Sequence, residues 1–361
     1  MFGLLRRNKS SVLNKLNISN KGKSYTPTIN KQLVSYKSAS FQNTTRKNRT
    51  TGNIGTRQRK PREKIIQCTL QPTLKINING ICQPYTSESA KKYLLKRLSR
   101  NKHVDISLII TPKQASANCW FNTMFVSFFI SDKGRKFFHF LRQLMIEGRQ
   151  IDGQVIPAEL WDGFSLLNFA IEASLSGTKY AYKLNTNIII SQIYKSIPDN
   201  YKNNLPFLTK VGNAGNPLRY YMSLMYYLEN TTLQLMLCET SNPEIIREKI
   251  SRLPHIPHII IIELFEGSRE NRPLNFIIRK GEEQIKYKLD SSIVRNISKE
   301  HFCAMITCEG EEMGYDGISH SRMVPMKWKE WLNTDTIWKF KGNSMKWSFL
   351  ESYQMLYYYR V

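Results

Sequence analysis

The 361-residue chain contains no apolar run near the ~18 residues that a membrane-spanning helix needs, so no membrane span is expected. Its longest greasy stretch, residues 256–265, is interrupted by Pro257, His258 and Glu263. Acids are scarce: 28 Asp and Glu stand against 53 Lys and Arg, a net charge of +25. Such a balance points to polyanionic partners and says nothing about fold. The six cysteines, Cys68, Cys82, Cys119, Cys238, Cys303 and Cys308, include no C-x-x-C pair, which argues against a zinc ribbon. The apolar residues before Arg6 and Arg7 are too few for a secretory signal. Scattered cysteines without a signal are expected to be free thiols in a reducing, intracellular compartment, cytoplasm or nucleus. Internal repeats are not evident.

What is present suffices for a sizeable core: 41% hydrophobic and 11% aromatic residues exclude a wholly disordered chain. The charge is uneven. Residues 1–64 carry 16 Lys and Arg against Glu63 alone, a net of +15, and residues 65–361 carry the remaining +10. The first segment is rich in Ser, Thr, Asn and Gln and has little apolar periodicity, which predicts a disordered basic tail. Three roles stay open for it: a solvated linker, a nucleic-acid-binding tail exemplified by Arg57-Gln58-Arg59-Lys60-Pro61-Arg62, or a transit peptide.

Beyond the tail, residues 64–70 read as a strand and residues 87–99 as a helix with Tyr93, Leu94, Leu95 and Leu98 to one side. The polar loop Gln114-Ala115-Ser116-Ala117-Asn118 leads into Cys119-Trp120-Phe121-Asn122-Thr123. An apolar helical periodicity then runs to residue 146, with a break at 131–134. Residues 150–250 read as mostly helical. After residue 253, residues 258–265, 274–279, 284–295, 301–308 and 352–361 read as strands. A helical half followed by a strand-rich half is α+β.

Cys119 carries the sharpest chemical signal. A thiol attacks as its thiolate, and a helix N-terminus favours that anion. Cys119 is expected at such a terminus, although a small buried core role is the competing reading. Gln114, five residues upstream, could donate to an oxyanion beside the Cys119 backbone N–H. A thiolate needs a base, and only six histidines exist. His301 begins the alternation His301-Phe302-Cys303-Ala304-Met305-Ile306, which would anchor it at a strand start. His320 is the rival, in a Ser-rich turn. Asp316 could return on the next strand of a hairpin to orient His301. Cys303 and Cys308 with His301 and His320 could be drawn as a metal cluster, but Cys303 lies in a strand-like run, and no metal or cofactor is expected. Trp120 reads as core packing and Asn122 as loop bracing, each with an active-site role as the alternative.

These residues resemble the ubiquitin-specific proteases, the papain-fold cysteine deubiquitinases. Cys119-Trp120-Phe121-Asn122-Thr123 is similar to that family's cysteine box, with Gln114 where the family places its oxyanion Asn. Ile256-Pro257-His258-Ile259-Ile260-Ile261-Ile262-Glu263-Leu264 and Tyr287-Lys288-Leu289-Asp290-Ser291-Ser292-Ile293-Val294 resemble the family's palm strands. His301-Phe302-Cys303-Ala304, Tyr315-Asp316 and the closing Tyr353-Gln354-Met355-Leu356-Tyr357-Tyr358-Tyr359-Arg360 follow in the family's order. The Gly-Asn-Thr run before the Cys is missing, Glu300 replaces the Gly before the His, and paired C-x-x-C motifs of a zinc finger are lacking. The resemblance implies a papain-like α+β domain over residues 65–361, with a helical thumb, an antiparallel strand-rich palm and an absent or reduced finger. Residues 150–250 would form a helical insertion and 253–361 the palm. It implies a Cys119–His301–Asp316 triad with Gln114 at the oxyanion hole, and ubiquitin or ubiquitin-like conjugates as partners. Nucleic acid would be a possible partner through residues 1–64. The Asn-, Ile- and Lys-rich composition suggests an AT-rich genome such as that of a large DNA virus. Two other functions stay open: a papain-like maturation protease of viral or cellular precursors, and a catalytically idle ubiquitin-binding or virion structural protein.

Overall fold

Strand Leu33–Ser35 (β1), whose backbone pairs in parallel with residues Ile337–Lys339, is described apart from the rest of the N-terminal stretch. The computed structural model otherwise describes residues 64–69, 74–150, 152–205, 207–230, 234–319 and 321–361, all within the unit Gln32–Val361. The remainder of the basic tail and His320 lie outside the described residues.

The first layer is a small antiparallel sheet, Ile66–Thr69 (β2), Lys75–Ile78 (β3) and Ile81–Pro84 (β4), with β3 in the middle. Helix Glu88–Arg100 (α1) packs on it. Ser87 caps the helix by accepting from the Ala90 N–H, Glu88 lies in the first turn and Arg97 and Arg100 in the last, as the helix dipole favours. One expectation fails here: Cys68 and Cys82 form a disulfide that ties β2 to β4. Linear spacing does not reveal that both outer strands of so small a sheet bring their cysteines together across β3. Cys119, Cys238, Cys303 and Cys308 are free thiols.

The long apolar run is three helices, Cys119–Phe129 (α2), Asp132–Phe137 (α3) and His139–Glu147 (α4). Ser131 makes the first break. Its hydroxyl donates to Ser127 O and accepts from Gly134 N–H, which starts a new helix. Leu160–Ser176 (α5), Thr186–Ser196 (α6), Asp199–Lys202 (α7) and Pro217–Tyr227 (α8) complete the helical layer. A buried charge cluster ties α1, α4 and α5. Arg97 Nε and Arg142 Nη2 donate to the two Glu172 oxygens at 2.9 and 2.6 Å, and Asn101 Nδ2 adds a bond of 2.6 Å. Removing one partner from such a cluster would strand a buried charge at a cost of about 3–5 kcal/mol.

The strand-rich part contributes Ile259–Leu264 (β6), Asn275–Lys280 (β7), Glu283–Arg295 (β8), Phe302–Cys308 (β9), Glu311–Tyr315 (β10), Val324–Pro325 (β11), Ile337–Lys339 (β12) and Gln354–Arg360 (β13). With β5 at Leu235–Cys238, the central order is β11-β10-β9-β8-β13-β6-β5, with β7 added on β8. Strand β5, Leu235–Cys238, departs from the expected helical reading of residues 150–250, and it lies parallel to β6 in a sheet that is otherwise antiparallel. Helix Pro243–Ser251 (α9) joins β5 to β6, as a parallel crossover requires. The helical layer covers one face of the sheet. The other is covered by a second core built on Trp328, Trp331, Trp338, Trp347 and Phe349. This explains why β6 is buried at every position and β9 does not alternate: a strand covered on both faces has no solvent side.

Candidate active site

Cys119 is the first residue of α2, preceded by Asn118 as N-cap. The Asn118 side chain does not cap its own helix. Its Oδ1 accepts from Ala115 N–H at 3.1 Å and its Nδ2 donates to Thr186 Oγ1 at 2.8 Å. Thr186 Oγ1 in turn donates to Asn122 Oδ1 at 2.6 Å, and Asn187 Nδ2 donates to Ala115 O at 2.6 Å. The start of α6 thus pins the loop before Cys119. Ser116 within that loop has φ of 67°, which an L-residue adopts only where its surroundings demand it. The first N–H groups of α2 have no intrahelical acceptor, so they form a place for negative charge.

His301 stands immediately before β9 and Asp316 directly after β10. The antiparallel pairing of Tyr315 with Ala304 brings the two strand ends together. His301 Nε2 lies 2.7 Å from Asp316 Oδ1, with His301 2% exposed and Asp316 fully buried. Burial lowers the His301 pKa. The Asp316 hydrogen bond and the adjacent Cys119 sulfur outweigh this and raise it to about 9. Burial pushes Asp316 up, but hydrogen bonds from His301 and Ser319 hold its carboxyl below the usual range. His301 Nδ1 is buried and otherwise unpartnered, and the Cys119 sulfur lies close enough to this imidazole to help raise its pKa.

Gln114 lies on the same side of the fold, since its N–H donates to Gly317 O at 3.0 Å, one residue beyond Asp316. Its amide Nε2, however, donates to Ser116 O at 3.1 Å. Trp120 is core: it is 1% exposed, its ring centroid lies 4.8 Å from that of Tyr220, and Gly215 lies flat against it. Asn122 is fully buried and braces the loop through Thr186. Cys303 and Cys308 are buried, and burial raises both thiol pKa values, that of Cys308 to about 12. No cluster suited to a metal ion occurs among the described residues.

Several supporting residues carry no signal in the sequence. Asn343 Nδ2 donates to Asp316 Oδ2 at 2.9 Å, Ser319 Oγ donates to the same oxygen at 2.6 Å, and Ile318 N–H donates to Oδ1 at 3.1 Å. Asn296 Oδ1 receives the N–H groups of Glu300 and His301 at 2.7 and 2.8 Å, closing the β8–β9 turn on the histidine. The Trp347 ring meets the imidazole edge-on, 6.1 Å between centroids. This arrangement can hold a charged imidazole in one orientation beside a thiol at a helix start.

No protein-family model matches the sequence, and no curated protein matches it. Among solved structures, the chain is similar to the SAGA DUB module Ubp8/Sgf11/Sus1/Sgf73 bound to ubiquitin aldehyde, at 8% identity and a TM-score of 0.44, over 78% of this chain and 79% of that chain. The SAGA DUB module bound to monoubiquitin gives 8% identity and a TM-score of 0.43 over the same shares. The Saccharomyces cerevisiae apo Pan2 pseudoubiquitin hydrolase-RNA exonuclease module, in complex with AAUUAA RNA, gives 8% identity and a TM-score of 0.44 over 72% of this chain and 56% of that chain.

Proposed function

We propose that the chain is a thiol hydrolase that cleaves after the C-terminal Gly-Gly of ubiquitin or a ubiquitin-like protein. The observation that carries the chemistry is the His301–Asp316 pair, 2.7 Å apart and buried, with His301 raised to about 9 beside Cys119 at a helix start. An imidazolium there stabilises a neighbouring thiolate. The thiolate attacks the scissile carbonyl, forming an S–C bond. The oxyanion is met by the Cys119 N–H and by the Gln114 amide, which must leave Ser116 O to reach it. The C–N bond breaks as His301 gives its proton to the leaving amine. Water then attacks the thioester, His301 takes its proton, the C–S bond breaks and the carboxylate departs. Asp316 keeps Nε2 engaged, so Nδ1 is the nitrogen left for the thiol and the leaving group.

The ubiquitin-like substrate rests on the resemblance of the cysteine and histidine blocks. In the same reading, α2 to α8 serve as the thumb and the central sheet as the palm. The test is labelling by ubiquitin bearing a C-terminal thiol-reactive warhead, comparing wild type with Cys119→Ala and His301→Ala. An adduct that requires Cys119 supports the reading. Labelling by a small generic thiol-protease probe alone would move the substrate to other precursors, and no labelling by either would leave a non-catalytic ubiquitin-like-protein binder.

A further inference from the structure

The β7–β8 hairpin has one face without a partner. Along β7, Asn275, Ile277 and Arg279 are exposed and Phe276 and Ile278 are buried. Along β8, Gln284, Lys286 and Lys288 are exposed, and Ile285 and Tyr287 are buried. The register sets Asn275 opposite Lys288, Ile277 opposite Lys286 and Arg279 opposite Gln284, so these side chains share one surface. Glu283 has the other parity and leaves that surface. The surface continues onto α3, where Lys133 donates its N–H to Asp290 of β8 and lies within range of Lys136 and Lys288 as well as of the Asp290 and Asp132 carboxylates.

None of Lys133, Lys136, Arg279, Lys286 and Lys288 takes part in an ion pair among the described residues. Asp132 and Asp290, the carboxylates beside Lys133, are occupied, while Glu282 and Glu283 are exposed at the hairpin tip. Asp132 accepts from Arg135 and from the Glu309 and Gly310 N–H groups, and buried Asp290 accepts from the Lys133 N–H. Like charges set side by side without counter-ions cost stability unless something else uses them.

We infer that this face of the β7–β8 hairpin, with Lys133 and Lys136 of α3, binds the phosphate backbone of a nucleic acid without reading its sequence. Charge complementarity selects a polyanion. Lys286 and Lys288, two residues apart on one strand, stand about 7 Å apart, an interval suited to successive phosphates. The amides of Asn275 and Gln284 between the cations add donors of the kind that contact phosphate oxygens. A protein partner would need a buried apolar centre, and Ile277 is the one exposed apolar side chain among these strand positions. A membrane surface would likewise need an apolar face to insert. The site is independent of the proposed catalysis: about 30 Å of β8 separates Lys286 from Arg295, beside which His301 is held.

The experiment uses the full chain and a fluorescent single-stranded dT20, with anisotropy measured from 50 to 300 mM salt. Any binding by the basic tail is common to all variants. Arg279→Gln/Lys286→Gln/Lys288→Gln is expected to lower the salt slope by about 2, at about 0.7 for each phosphate that is no longer neutralised. Lys92→Gln/Lys96→Gln/Arg100→Gln, the same charge change on the exposed side of α1, is expected to leave the slope unchanged. The milder Lys286→Gln/Lys288→Gln is expected to remove about 1.4 and serves if the triple variant melts early. An unchanged slope in the hairpin variants, or an equal drop in the α1 control, overturns the assignment. So does displacement of dT20 by polyglutamate of equal charge as effectively as by unlabelled dT20, which would make the face a dock for acidic protein.

Discussion

Thr186 Oγ1 donates to Asn122 Oδ1 at 2.6 Å, joining the first residue of α6 to the first turn of α2 across 64 residues of sequence. The same oxygen accepts from Asn118 Nδ2, and the Oδ1 of that side chain holds the Ala115 N–H. One hydroxyl therefore fixes both sides of Cys119.

Thr186→Val keeps the shape and removes that hydroxyl. Asn118 Nδ2 and Asn122 Oδ1 would be left buried without partners, at a cost of about 1–3 kcal/mol. We expect a lower Tm and slower labelling of Cys119, with Thr186→Ser restoring both. Thr186 acts through the loop, so the maximal labelling rate should fall more than the probe concentration at half-saturation changes. Equal loss of stability with an unchanged labelling rate would reduce Thr186 to a packing role.

His301 gives a pH dependence of defined sign. Its folded pKa, about 9, lies above the ~6.5 of an unfolded histidine. The stability it contributes is therefore complete below ~6.5 and is lost as pH rises through about 9. Denaturant midpoints of wild type and His301→Gln should differ most at pH 6 and converge by pH 10. Asp316→Asn removes the group that holds the imidazolium, so the alkaline limb of Cys119 labelling should move to lower pH. A limb that stays in place would mean that another group sets it.

The parts of this site legible in the sequence are those carried by local pattern. Cys119 follows a polar loop and opens an apolar periodicity, so its place at a helix start could be read directly. Asp316 could be placed near His301 because a β-hairpin returns the chain, and the pairing of Glu311 with Cys308 makes the turn tight. Asn343 could not be found this way: it reaches Asp316 from a loop beyond β12, where no periodicity relates the two. The same holds for β5, a four-residue strand whose Leu-Met-Leu-Cys run is equally good helix and is settled only by its parallel neighbour β6. The alternation expected for residues 301–308 is absent because the Trp-rich second core covers the face that would otherwise meet solvent.

Two glycines in the loop beside Trp120 separate space from backbone strain. Gly215 has an ordinary φ, but a Cβ there would come within 2.5 Å of the Trp120 ring. Gly212 has φ of +87° and open space around it. Gly215→Ala should push on the residue next to Cys119, costing about 1–3 kcal/mol and slowing labelling. Gly212→Ala should cost about 1–2 kcal/mol of backbone strain and leave the labelling rate intact. Thermal melts with rate measurements distinguish the two, and equal effects on rate would show that the whole loop acts as one element.

The Cys68–Cys82 bridge closes a loop with a sequence separation of 14 and holds a small sheet against α1. Loop closure of that length restricts the unfolded chain by about 3 kcal/mol. Cys68→Ser/Cys82→Ser should therefore lower the denaturant midpoint under oxidising conditions, and dithiothreitol should bring wild type to the same midpoint. The sheet's core, Ile65, Leu74, Ile76 and Tyr85, packs on Phe169 of α5 and through it on the layer that holds Thr186. Loosening the sheet should be felt first there: amide exchange should speed up in β2 to β4 before it does in β8 or β13, whose strands are buried in the two larger cores. Uniform acceleration across all strands would show instead that the small sheet and the central sheet unfold as one unit.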